Sequence, residues 1–167
     1  MFRGNKNQSL HEVVITAIIV KVGKYLITKR SMKERRFPGF WTVPGGKLET
    51  DDYIHLPKET KHYWYNVLEK VLRKEVAAEV GLEIKNIEYL TSFARVHEDN
   101  NPSLVISFIA DYDSGKVKLQ KDEAVDYAWV TLKEARKYNL IDGIFDELAL
   151  AEKKRKGIKE EWQRSTK

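Results

Sequence analysis

The chain has 167 residues, 42% of them apolar and 33% charged, with a net charge of +5. That length suits one domain with a real core, and no apolar run approaches the ~20 residues of a membrane-spanning helix. Cysteine is absent, which excludes disulfides, thiolate nucleophiles and cysteine-held zinc, and fits a cytoplasmic protein.

The opening MFRGNKNQSL lacks the apolar stretch of a secretory signal. Residues 12–22, EVVITAIIVKV, are β-branched and apolar and read as a buried strand. A Val-Gly-Lys turn leads to a hairpin partner at 24–30. Residues 35–49, RRFPGFWTVPGGKLE, hold three of the nine glycines and two of the four prolines. Such a loop is rigid in places and approaches ligands closely. Residues 51–60 read as a further loop.

From Thr60 to Val80 the pattern is helical. Val67, Leu68, Val71, Leu72 and Val76 recur at intervals of three and four, and Gly81 supplies a stop. Strands are expected at 87–96 and 103–112, joined by the turn HEDNNP, with a shorter one at 124–132. Two helices close the chain: TLKEARKYNL, capped by Thr131 with Glu134 three residues on, and GIFDELALAEKKRK. The order predicts a single α+β domain over 1–152, followed by a basic tail over 153–167. The tail lacks interleaved aromatics except Trp162, so it offers no stacking platform for bases and reads as solvated. Nucleic acid is therefore not expected as a partner.

The chemistry concentrates in RKEVAAEVGL, residues 73–82. Glu75 and Glu79 stand four apart, on one face of a helix, where like charges repel. A solvated helix face tolerates that pair; a site for a hard cation requires it. The Gly45-Gly46 turn allows close backbone approach. Asp122 and Glu123 lie in the loop before the last strand.

In this order, GGKLETDD…KEVAAEVGL resembles the signature of the Nudix hydrolases, G-x(5)-E-x(7)-R-E-U-x-E-E-x-G-U, where U is a bulky aliphatic. Gly46, Glu75, Val76, Glu79, Gly81 and Leu82 fit it. The flanking strands are similar too, so the resemblance covers roughly residues 12–150. Lys74 stands in place of the arginine, Asp52 in place of the first glutamate, and Ala78 in place of the first glutamate of the E-E pair. About fourteen extra residues separate Asp52 from the helix.

The resemblance implies a mixed β-sheet sandwiched between helices. It implies cleavage of a pyrophosphate bond in a nucleoside triphosphate or nucleoside diphosphate derivative, with Mg2+ or Mn2+ as cofactor. Metal ligands are then Glu75, Glu79, Glu123 (with Asp122 as the competing choice) and the Gly46 carbonyl, with Glu75 as ligand or base. Lys74 and Asp52 orient the catalytic loop. Arg30, Phe40 and His97 are the candidate substrate contacts, and Trp41 is structural. The motif HYWY, residues 62–65, is expected to pack into the core, with a pocket wall or a homodimer contact as its other candidate roles. A nucleotide-binding module without turnover and an RNA-end hydrolase are the rival readings.

Overall fold

The computed structural model describes residues 10–165. The expected domain's first nine residues and the last two of the tail lie outside the described residues. Among the described residues, seven strands and three helices form: β1 (Glu12–Lys21), β2 (Lys24–Arg30), β3 (Trp41–Thr42), β4 (Gly45–Lys47), α1 (Val67–Val80), β5 (Leu82–Val96), β6 (Pro102–Gly115), β7 (Ala124–Val130), α2 (Leu132–Ala135) and α3 (Ile144–Arg155). They form one mixed sheet in the order β3-β2-β1-β6-β5, with β4 added beside β1 and β7 beside β2. β1 and β6 run parallel, and the other pairs are antiparallel.

The alternation along β1 decides the layering. Ile15, Ala17 and Ile19 face one side, where they meet Val71, Leu72, Val76 and Val80 of α1. Ile18 faces the other side and joins Ile144, Leu148 and Ala151 of α3. The sheet is thus covered on both faces, as the α+β sandwich expectation requires. β1 pairs with β2 only at its far end and with β4 at its start. That switch of partner sets the Gly45-Gly46 turn against Thr16 and Ile15, beneath α1.

Several boundaries differ from expectation. The helix begins at Val67, not Thr60, because residues 60–65 satisfy their backbone locally. Thr60 Oγ1 accepts from Tyr63 N at 3.0 Å, and the Glu59 carboxylate accepts from Tyr65 N at 3.0 Å. Asn66 then enters the helix with φ of 53°, outside the helical region. The glycine-rich loop contains the short strands β3 and β4, and residues 50–52 form one 3-10 turn. β5 starts at Leu82 instead of residue 87; bulges between Glu83 and Glu88 break its alternation. α2 stops at Ala135, since Asn139 O and Ile141 N are taken by the backbone of Trp41. Trp41 also stacks edge-on against Tyr138 at 4.7 Å, the structural role expected of it.

Lys153 to Arg155 belong to α3, so the chain after the helix is shorter than the expected tail. It folds back: Arg164 Nη1 lies 2.8 Å from both Asp142 and Asp146, and Ser165 N donates to Asp146 at 2.7 Å. Among the described residues, no helix is long and apolar enough to cross a membrane.

Glu147 is a buried acid of α3, behind the sheet. Ser107 donates its hydroxyl to Glu147 of α3, and Thr16 therefore donates to Ser107 at 3.0 Å. Burial, with Asp146 beside it, lifts the Glu147 carboxyl from 4.5 to about 7 despite the Ser107 hydrogen bond. A raised acid stabilises the fold fully below pH 4.5 and loses that contribution as pH rises through about 7. The shift corresponds to about 3 kcal/mol. Glu147→Gln removes the buried charge and is expected to raise Tm at pH 8 and to flatten the fall in stability between pH 5 and 7. Thermal melts of both proteins across that range check it; an unchanged pH profile contradicts the assignment.

Candidate active site

Glu75 and Glu79 face the Gly45-Gly46 turn because α1 lies across β1 through its apolar stripe. Glu79 is 8% exposed and accepts a hydrogen bond from Gly45 N at 2.9 Å. Gly46 lies under Glu75: a Cβ on Gly46 would stand 2.2 Å from Glu75 Oε2. Glycine there makes room for a carboxylate. The Gly81 cap has φ of 71°, the left-handed value that ends the helix as expected.

The loop after β6 is pinned to the end of α1, with Lys118 N donating to Val80 O and Gln120 N to Glu79 O, both at 2.9 Å. It carries Glu123, whose backbone carbonyl accepts from Ser31 N at 2.8 Å. Of the two acids left open there, Asp122 is bound by Lys33 at 3.0 Å, whereas the charge of Glu123 acts on both Glu75 and Glu79.

Electrostatics mark the place. Burial lifts Glu79 to about 7; the Gly45 N–H and Arg30 pull down, while Glu123 and Glu75 push up. Burial also raises Glu75; Lys74 counteracts it, and Asp52 and Glu123 add to it. Among the described residues, no three His, Asp or Glu side chains already stand together as a metal cage. Mutual repulsion of uncompensated carboxylates disfavours such closure. The donor set is nonetheless hard oxygen with surplus negative charge, and a divalent cation fits it. Ala78 is exposed on α1 and offers no ligand.

Lys74 reaches back to Asp52 in an ion pair, tying α1 to the turn that follows β4. The pair holds Asp52 below its ordinary value, against the opposing effect of burial. Arg30 is held by Glu34 at 2.6 Å and by Arg36 O at 2.8 Å, with its charge still felt at Glu79.

Phe40 and His97 come together elsewhere. They line a cavity of about 370 Å³ with Arg35, Arg36, Phe37 and Arg95, and none of Glu75, Glu79 or Glu123 lines it. Arg95 stacks over Phe37 at 4.7 Å. His97 Nε2–H donates to Ser103 Oγ at 2.8 Å, since Ser103 spends its own hydrogen on Glu12 at 2.8 Å. Glu12 also binds Arg36 at 2.6 Å and Lys47 at 2.5 Å. Lys47, then Arg36 and Ser103, hold its pKa down to about 2. Glu12 therefore links the cavity wall to β4, the strand of the glycine turn. Sequence reading missed Glu12, Arg36 and Arg95; no motif marks them, and only the β1–β6 pairing brings Glu12 opposite Ser103.

Known proteins agree with this architecture. The family model for the NUDIX domain matches residues 10–149. The chain belongs to the Nudix family. The expected Nudix-type hydrolase is borne out at the level of the family, whose members generally require a divalent metal ion. The chain is 35% identical over 124 residues to the NAD-capped RNA hydrolase NudC of Actinobacillus succinogenes, which covers 71% of this chain and 40% of that protein. The chain thus spans about two-fifths of the curated relative's length. The MutT Nudix hydrolase structure from Burkholderia pseudomallei superposes with a TM-score of 0.68 at 20% identity, over 85% of this chain and 98% of that one. The Nudix domain of Shewanella oneidensis NrtR, solved with ADP-ribose, gives 0.63 at 19% identity, over 93% of each chain. At these identities the two structures speak for the fold.

Proposed function

We propose that this Nudix chain hydrolyses the pyrophosphate bond of a nucleoside diphosphate derivative in the cytoplasm, with Mg2+ or Mn2+. The observation that carries the reading is the buried Glu79 carboxylate, set among Glu75 and Glu123 over the glycine turn and bonded there by Gly45 N. The NudC relative's NAD-capped RNA contains a pyrophosphate, which favours a diphosphate derivative over a triphosphate.

Glu79, Glu75, Glu123 and the Gly46 carbonyl are the proposed ligands. A bound divalent ion supplies charge neutralisation on the phosphates and a lowered pKa for water. Glu79 is fixed by Gly45 N and keeps its rotamer. Glu75, less buried than Glu79, is proposed to take the proton of the attacking water. Lys74 and Asp52 hold the turn against α1. Arg30 is proposed to face the phosphates, its guanidinium fixed by Glu34 and the Arg36 carbonyl. Phe40, His97 and the nearby arginines are proposed to receive the nucleoside end, with Phe40 offering an aromatic face.

A panel of nucleoside diphosphate derivatives, including NAD and ADP-ribose, tests the reading. Turnover is expected with magnesium or manganese and is abolished by chelation. Binding without turnover under either ion would falsify the hydrolase reading and leave a nucleotide-binding module.

A further inference from the structure

Residues 53–66 interrupt the Nudix signature between Asp52 and α1, and they form a unit with its own internal bonds. Trp64 donates its indole N–H to Leu56 O at 2.8 Å and packs edge-on against Tyr53 at 5.4 Å. Lys58 Nζ stands 4.7 Å over the Trp64 ring. Glu59 accepts from Tyr65 N and is paired with Lys70.

This frame does not bury its aromatics as core packing requires. Tyr63 is 62% and Tyr65 53% exposed, with the His62 ring 6.0 Å from that of Tyr63. Exposed rings grouped on a pinned backbone mark an interaction surface. Its charge indicates the partner. Glu59 is the single acid of the segment and is neutralised by Lys70, while Lys58 and Lys61 remain positive. Lysines interleaved with exposed rings suit a flexible polyanion that carries flat bases. The segment leads into α1, and Glu75 lies eight residues beyond Val67, about 12 Å along the axis.

We propose that residues 53–66 form a docking platform for a single-stranded nucleic acid. Bases stack on Tyr63 and Tyr65, and phosphates meet Lys58 and Lys61. Only the fate of the strand's end, reaching toward Glu75, rests on the hydrolase reading. The platform itself needs no turnover. The expectation that nucleic acid is not a partner came from the C-terminal tail; the insertion holds the aromatics that the tail lacks.

The test uses the full chain and a short fluorescein-labelled single-stranded RNA of mixed sequence, followed by anisotropy at low salt. The natural protein is expected to bind it, and to bind the duplex of the same sequence more weakly. Tyr63→Ala with Tyr65→Ala should weaken binding roughly ten-fold or more, with Tm recorded to confirm folding. Lys58→Gln with Lys61→Gln leaves the rings in place and should flatten the log Kd against log salt slope by about 1.4. No RNA binding by the natural protein, or equal binding by both variants, overturns the platform. So does a tyrosine effect seen only in sedimentation, which marks a contact between copies of the chain. Plain RNA carries no pyrophosphate, so the outcomes separate. RNA binding lost with the tyrosines but no hydrolysis of any panel compound sinks the hydrolase alone; hydrolysis without RNA binding sinks the platform alone.

Discussion

Glu79→Gln and Glu75→Gln are each expected to lower kcat by about 10²–10⁴-fold while the protein stays folded. The physical case is strongest at Glu79. Glutamine keeps the shape and retains a carbonyl oxygen to accept the Gly45 N–H, so the turn under α1 is preserved. What disappears is a negative charge that the fold buries among two others. Burying such a charge costs stability, and the proposed metal site is what gives that cost a use. At Glu75 the loss is of the proposed proton acceptor. Glu83, exposed on β5 beyond the helix cap, serves as control: Glu83→Gln is expected to turn over normally. Steady-state kinetics at saturating magnesium on all three variants decide the matter. Equal losses in the three, or none in the first two, would remove the site from this turn.

The candidate catalytic face was legible because a helix repeats. Glu75 and Glu79 share a face whenever α1 forms, and the stripe of Val71, Leu72 and Val76 guarantees which side of α1 meets the sheet. The Lys74–Asp52 contact was legible only through the signature, since nothing in spacing alone joins residues twenty-two positions apart. The insertion was not legible. It has no period, and the bonds that shape it are side chain to backbone: Trp64 to Leu56, Tyr65 to Glu59. HYWY therefore read as core, when its tyrosines face outward. The cavity around His97 was half legible. Phe40 and His97 were found from loop and turn composition, but their convergence depends on β5 and β6 running out together beside the loop after β2.

A methyl group added to either glycine of the turn is expected to cost activity, but only at Gly45 to cost stability as well. In Gly46→Ala the three atoms nearest the new Cβ all belong to Glu75: Oε2 at 2.2 Å, Cδ at 2.6 Å and Cγ at 2.7 Å. These atoms belong to one flexible side chain, which can swing away by changing rotamer. The backbone need not move, so Tm should change little, while Glu75 is driven off its place over the turn. Activity should then fall by an amount approaching that of Glu75→Gln. In Gly45→Ala the new Cβ meets Ile15 O at 2.2 Å and Thr16 Cα at 2.9 Å, both main-chain atoms of the central strand. Neither can rotate away, so β4 must separate from β1. Overpacking of that kind costs about 1–3 kcal/mol, and it takes the Gly45 N–H away from Glu79 as well. Gly45→Ala should therefore lose stability and activity together, and Gly46→Ala activity at nearly constant stability. Melting curves and kcat on the same preparations read the two apart. A Gly46→Ala protein with normal kcat would mean that Glu75 does its work from another rotamer, and the proton-acceptor role would pass to a different group.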